Sequence, residues 1–218
     1  DMGCSHDDNA IARGVDLAVA NNARVINISL GGSPPNSTLR AALGRATAAG
    51  IIIVFSAGND GTADPDPFAQ IANDPLARNL IIIAGALDAS NAALASFSNR
   101  AGNGASHYIG ALGENVRAID QTGTSFLWSG TSFSAPIVSG AVALLAQAFP
   151  NLTGAQIVDL LFRSAVDIGA TGVDPVFGNG ALDLSKAFGP QGPLTLAGSQ
   201  IALPATTGMT SAPMGDGG

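Results

Sequence analysis

Apolar positions along this chain follow two rhythms. One is helical: Ile11, Val15 and Leu17 to Val19 mark a helix over 11–20, with Asp8 and Asn9 as capping candidates. A second helix is expected over 38–49, stopped by Gly50. Behind Pro136, the positions Val138, Ala141, Val142, Leu144 and Leu145 share one face of a third. A fourth runs over 153–166 with Thr153 as its cap. The other rhythm is a continuous apolar run, too short for an ordinary helix and rich in β-branched residues. Residues 24–30, 51–55 and 80–85 read this way as strands, and 115–120 as a shorter one. Runs apolar on both faces, alternating with helices, predict an α/β fold with a parallel sheet covered by helices and right-handed crossovers.

Punctuation divides the rest. Residues 33–37 are loop, and 60–75 is loop-like because Asp64-Pro65-Asp66-Pro67 excludes helix. From Gly189 to Gly218 the chain is rich in Gly, Pro, Ala and Thr without helical period. The expected organisation is a domain over 1–188 followed by a linker or tail over 189–218.

Composition narrows the picture. A chain of 218 residues has room for one domain with a sizeable core, and 46% hydrophobic against 11% charged residues excludes a disordered one. A net charge of −7, with Lys186 as the sole lysine, argues against nucleic acid or an anionic membrane surface as partner. No run approaches the length of a transmembrane helix, so no span is expected. Cys4 stands alone, which excludes an internal disulfide.

Candidate chemistry centres on Gly130-Thr131-Ser132-Phe133-Ser134-Ala135-Pro136. A serine there lies between a tight glycine turn and a helix start, with Pro136 expected in the first turn, where a missing N–H costs little. Free backbone N–H groups and the helix dipole favour developing negative charge, so a nucleophile attacking a carbonyl belongs at this place. The plainer reading is a helix cap. Gly-Thr-Ser-Phe occurs twice, at 123–126 and 130–133, but only the second copy leads into a helical face. Ser132 is therefore the candidate and Ser125 is expected in a loop. Neither copy forms Gly-x-Ser-x-Gly.

Two further segments fall into place with it: Val25-Ile26-Asn27-Ile28-Ser29-Leu30-Gly31-Gly32, and Ile51 to Phe55 running into Ser56-Ala57-Gly58-Asn59-Asp60-Gly61. With all three in this order, the chain resembles the subtilisin-like serine proteases (subtilases), from about its start to Phe188. Ala95-Ser96-Phe97-Ser98-Asn99 and the stretch from Asp174 to Asp183 resemble further segments of that family. The resemblance implies a three-layer subtilisin-like fold with a mostly parallel central sheet, here lacking its N-terminal portion. It implies Ser132 as nucleophile, with the Asn59 amide and the Ser132 N–H holding the oxyanion. Ser29, Leu30 and Gly31 would pair with substrate as an added strand. Ser56, Ala57 and Gly58, after Phe55, would line the far wall of the primary specificity pocket. Phe55-Ser56 departs from the alanine the family often has there, and Ile137 stands where subtilases usually carry His.

The family's aspartate and histidine motifs are not legible. Asp1-Met2-Gly3 matches the first only superficially, and His6 and His107 lack the His-Gly-Thr-His-type turn and read as structural or surface residues. The chain is thus expected to carry the second half of an active site and, by itself, not to perform triad catalysis at a normal rate. What the resemblance implies for the intact protein is a serine endopeptidase acting on proteins or peptides. The alternative is a non-catalytic subtilase-like domain that binds peptides or supports a larger protein. No histidine follows Ser132 in this sequence, which argues against a nucleophile-elbow esterase. Calcium is possible from the resemblance, its site unknown. Asp60, Asp64, Asp66 and Asp74 do not match a calcium loop such as the EF-hand and read as a solvated turn. Secretion or a bacterial cell-surface location is implied. The tail resembles the passenger-to-barrel linkers of autotransporter subtilases, which implies a C-terminal β-barrel beyond the chain.

Overall fold

The structure, a computed structural model, describes residues 7–189. Asp1, Cys4, His6 and the expected tail from 190 onward lie outside the described residues.

Helix α1 (Asp8–Ala20) starts where the Asp7 carboxylate accepts the Asn9 N–H at 2.9 Å. Strand β1 (Val25–Ile28) follows, then α2 (Ser37–Ala48), capped by Asn36, whose Oδ1 accepts from the Leu39 N–H. Strands β2 (Ile52–Ser56) and β3 (Ile81–Leu87) are buried at every position. With β4 (Tyr108–Leu112) they form a sheet ordered β1-β2-β3-β4, parallel throughout. Ile28 lies opposite Phe55, Phe55 opposite Ile83, and Ile83 opposite Tyr108.

That row explains the continuous apolar runs. Ile53, Phe55, Ile81, Ile83 and Tyr108 face a core shared with Ala12 and Val15 of α1 and Leu39 and Leu43 of α2. Ile52, Val54, Ile82, Ala84 and Ile109 face the other way. There they meet α3 (Thr131–Ala148) through Val138, Val142 and Leu145, and α4 (Gly154–Ser164) through Ile157 and Leu161. Helices cover both faces, giving three layers. Thr153 caps α4 in a capping box with Gln156.

Several expectations need correction. Ser125 is not loop: β6 (Ser125–Trp128) pairs antiparallel with β5 (Val116–Ile119). Its run of Phe126, Leu127 and Trp128 is exposed throughout and so shows no alternation. The hairpin is fixed instead by Asp120, whose Oδ1 accepts the N–H groups of Thr122 and Thr124 across the turn. Strand β4 was not legible because Gly110 and Ala111 dilute its apolar run, and α5 (Leu184–Phe188) is too short to show a period. Within the expected loop over 60–75, a 3₁₀ turn begins at Ala69, past the prolines. The expectation that no run reaches spanning length fails on α3, whose 18 residues are long and apolar enough by length and composition. Its apolar face is covered by the sheet, with Ala135, Val138, Ala141, Val142 and Leu145 buried.

One glycine is essential to the sheet. The Tyr108 phenol lies across Gly85 of β3, so that a Cβ at 85 would collide with the phenol oxygen. The phenol donates to the Asn99 carbonyl at 2.8 Å, and full burial pushes its pKa up.

Candidate active site

Parallel strands put their C-terminal ends on one edge of the sheet, where connecting loops gather. Here the segment after β1, the segment after β2 and the start of α3 meet on that edge.

Gly130, at φ 151° in the region open to glycine, leads into α3, and Ser132 is the second helical residue. Its backbone N–H, one of the orphan donors of a helix start, has no acceptor among the described residues. Pro136 is not in the first turn as expected but is the sixth residue of α3. It cannot donate to the Ser132 carbonyl four residues back. The Ser29 hydroxyl fills that gap, donating to the Ser132 carbonyl at 3.0 Å. Ser29 Oγ in turn accepts from Asn27 Nδ2 at 2.9 Å, and Ser139 Oγ of α3 lies 3.2 Å from Asn27 Oδ1. Strand β1 and helix α3 are thereby tied at the serine itself.

Asn59 is held by the helix start. Its Oδ1 accepts the Thr131 backbone N–H at 2.8 Å and the Thr131 hydroxyl at 2.9 Å. Because a backbone N–H can only donate, the atom facing it must be the amide oxygen. The Nδ2 group is then turned away and has no acceptor among the described residues. The site thus presents two unsatisfied donors, Asn59 Nδ2 and the Ser132 N–H. Asn99, almost wholly buried, braces the loop that carries Asn59: its Oδ1 accepts the Asp60 and Thr62 N–H groups and its Nδ2 donates to the Ala57 carbonyl.

Beside this pair runs Ser29-Leu30-Gly31. The Leu30 carbonyl accepts the Ser56 hydroxyl at 3.1 Å, whereas Gly31 has no backbone hydrogen bond among the described residues. Gly31 is therefore an open edge on which an extended peptide can pair. Ser56, Ala57 and Gly58 are buried and face this edge, and the Gly58 N–H donates to Thr131 Oγ1 at 3.3 Å. Gly58 has φ 104°. Between Gly31 and Gly58 sits the Asp66 carboxylate: a Cβ on Gly31 would collide with its Oδ2, and one on Gly58 would lie 3.0 Å from it. Burial first, then the charge of Asp60, pushes the Asp66 carboxyl above the usual carboxylate range, opposed by the Gly32 N–H.

All of Ser132, Asn59, Ser29, Leu30, Gly31, Ser56, Ala57 and Gly58 thus converge. His107 does not join them. It closes a 3₁₀ turn ahead of β4, makes no hydrogen bond to Ser132, and burial lowers its pKa. The Ser132 hydroxyl has no hydrogen-bond partner among the described residues. Among those residues no three His, Cys, Asp or Glu side chains converge on a metal position. Of the four aspartates read as a solvated turn, three have specific partners or places: Asp64 accepts the Asn103 N–H, Asp74 pairs with Arg40, and Asp66 lines the cleft.

Sequence reasoning missed Thr131, Asn99, Asn27 and Asp66. Thr131 and Asn99 lie inside segments that carried the resemblance, but their work is hydrogen bonding across 72 and 42 residues. Asp66 was hidden in a proline-rich loop with no motif of its own.

The Subtilase family profile matches residues 2–180. The thermostable alkaline protease of Halalkalibacterium halodurans is 34% identical over 179 residues, which is 82% of this chain and 45% of that protein. Subtilisin DY of Bacillus licheniformis is 34% identical over 160 residues, 73% of this chain and 56% of its own length. The chain therefore spans about half the length of the curated relatives it matches. Among solved structures, fervidolysin from Fervidobacterium pennivorans, described as a keratinolytic enzyme related to subtilisin, superposes with a TM-score of 0.71 at 32% identity. That match covers 86% of this chain and 30% of fervidolysin. The prenylagaramide maturation protease PagA shares the fold at a TM-score of 0.73 and 24% identity, over 86% of this chain and 68% of its own.

Proposed function

The chain belongs to the subtilase family, and on that premise we propose that it carries the nucleophile, oxyanion donors and substrate edge of a serine endopeptidase. Ser132 Oγ attacks the carbonyl of the scissile peptide bond while its proton passes to a histidine outside residues 7–189, oriented by an aspartate also outside them. The tetrahedral oxyanion forms between Asn59 Nδ2 and the Ser132 N–H. Collapse expels the amine, which takes the proton from the histidine and leaves an ester on Ser132. Water then cleaves that ester by the same route. Ser29 to Gly31 align the substrate backbone, and Ser56 to Gly58 wall the pocket beside it.

The observation that supports this reading best is the Asn59 amide, its oxygen pinned twice by Thr131 and its Nδ2 left without an acceptor. A cap or turn asparagine has no need of a free, oriented donor beside a helix start. In the full-length protein, Asn59→Ala should lower kcat for peptide hydrolysis by about 10²–10³ with little change in KM, a magnitude that comes from a subtilisin of this same family. An unchanged kcat contradicts the assignment.

A non-catalytic, peptide-binding reading rests on one observation, the absence of a base beside Ser132 among the described residues. It predicts a full-length protein that binds peptides and hydrolyses none. The same family membership supports secretion or a bacterial cell-surface location. The composition of 189–218 supports a linker toward a C-terminal β-barrel of the autotransporter kind.

A further inference from the structure

Asp66 belongs to no motif that carried the family resemblance, yet its carboxylate stands between the two backbones that frame the cleft. Gly31 lies on the open edge and Gly58 on the opposite wall, and a Cβ on either would crowd the carboxylate. The loop bearing it is stitched to both sides. The Asp66 N–H donates to the Ala57 carbonyl at 2.8 Å, and Oδ2 accepts the Gly32 N–H at 3.2 Å. Oδ1 accepts nothing among the described residues, and none of their ion pairs includes Asp66.

We infer that Asp66 sets the specificity of this cleft, selecting substrates whose residue donating the scissile carbonyl is arginine or lysine. The inference rests on the endopeptidase reading of the site. Because the carboxylate stands in the gap between the two glycine backbones, a side chain brought to this gap meets it directly, with a spare oxygen and no ion pair among the described residues. A guanidinium can pair with it through charge-assisted hydrogen bonds, and an ammonium as a point charge. An apolar side chain would strip water from the carboxylate and return nothing. Asp60 adds to the negative field felt by Asp66.

Two measurements on the full-length protein test this. In the first, amide spectra are followed during titration with benzamidine and with its neutral counterpart benzamide. Benzamidine should shift the Gly31, Gly32 and Gly58 amides and bind about tenfold tighter or more, a difference lost in Asp66→Asn. That variant retains an oxygen for the Gly32 N–H and so preserves the loop. In the second, fluorogenic peptides differing only in the residue before the scissile bond are compared. Arginine and lysine should exceed leucine in kcat/KM, and Asp66→Asn should lower the arginine-to-leucine ratio about tenfold or more. Equal binding of the two probes overturns the inference. So does a preference for leucine or phenylalanine, or a ratio unmoved by Asp66→Asn. A preference for alanine that widens in Asp66→Gly overturns it too, because the carboxylate then only fills the pocket. Benzamidine bound at Asp66 without cleavage of any peptide would instead sink the endopeptidase reading and leave cation recognition standing.

Discussion

The Ser29 hydroxyl makes the hydrogen bond to the Ser132 carbonyl that Pro136 cannot make. A proline in the second turn of a helix is ordinarily a defect. In this chain it frees a carbonyl at the candidate nucleophile, and the end of β1 claims it.

That relationship predicts a rescue. Ser29→Ala leaves the Ser132 carbonyl unpaired and should cost about 1–2 kcal/mol in denaturant unfolding. Pro136→Ala restores an intrahelical donor, so the double variant should recover most of the loss. The two changes should show a coupling of about 1 kcal/mol in a double-mutant cycle. Strict additivity contradicts the account.

Thr131 orients the Asn59 amide, and its hydroxyl also accepts the Gly58 N–H. Thr131→Val removes the hydroxyl at constant shape and should slow acylation of the full-length protein about tenfold. Thr131→Ser keeps the hydroxyl and should restore the rate. A merely structural threonine would lower stability without this split between the two variants.

Gly85 leaves room for the Tyr108 ring. Gly85→Ala should destabilise by about 3 kcal/mol, the upper end for an overpacked core. Tyr108→Phe should not rescue it, since the ring carbons stand in the way along with the hydroxyl. Thermal unfolding of the single and double variants checks both statements.

Asp66 gives a pH signature. Its folded carboxyl lies above the ordinary value of 3.8, chiefly through burial, so the ionised form is disfavoured by folding. The folded state then binds the proton more tightly than the unfolded one. Stability of the native sequence should therefore rise as pH falls through the raised value. Asp66→Asn should be the more stable form at neutral pH, and its advantage should fade as pH drops toward 3.8. An advantage independent of pH contradicts this.

The architecture was legible because burial on both faces leaves a simple mark, an unbroken run such as Ile51 to Val54 or Leu80 to Ile83. Thr153 announced its own helix by position. Of the hairpin over 116–128 only the first strand was legible; the second was not, since Phe126, Leu127 and Trp128 are exposed together and Trp128 stacks on Phe133 instead of entering a core. At the site, Ser132, Asn59, Ser29 to Gly31 and Ser56 to Gly58 were singled out because their order along the chain resembles a family. The groups that hold them, Thr131, Asn99 and Asn27, act through hydrogen bonds across 72, 42 and 112 residues, which no local pattern encodes. Pro136 was misplaced by one turn for the opposite reason. Local rules favour proline at a helix start, and only the contact with Ser29 makes its actual position tolerable.

The most direct measurement is fluorophosphonate labelling of the full-length protein followed by mass mapping of the adduct. The account predicts a single adduct on Ser132, abolished in Ser132→Ala and slowed in Asn59→Ala. A folded protein that takes no label, or takes it on Ser125 or another serine, would contradict it.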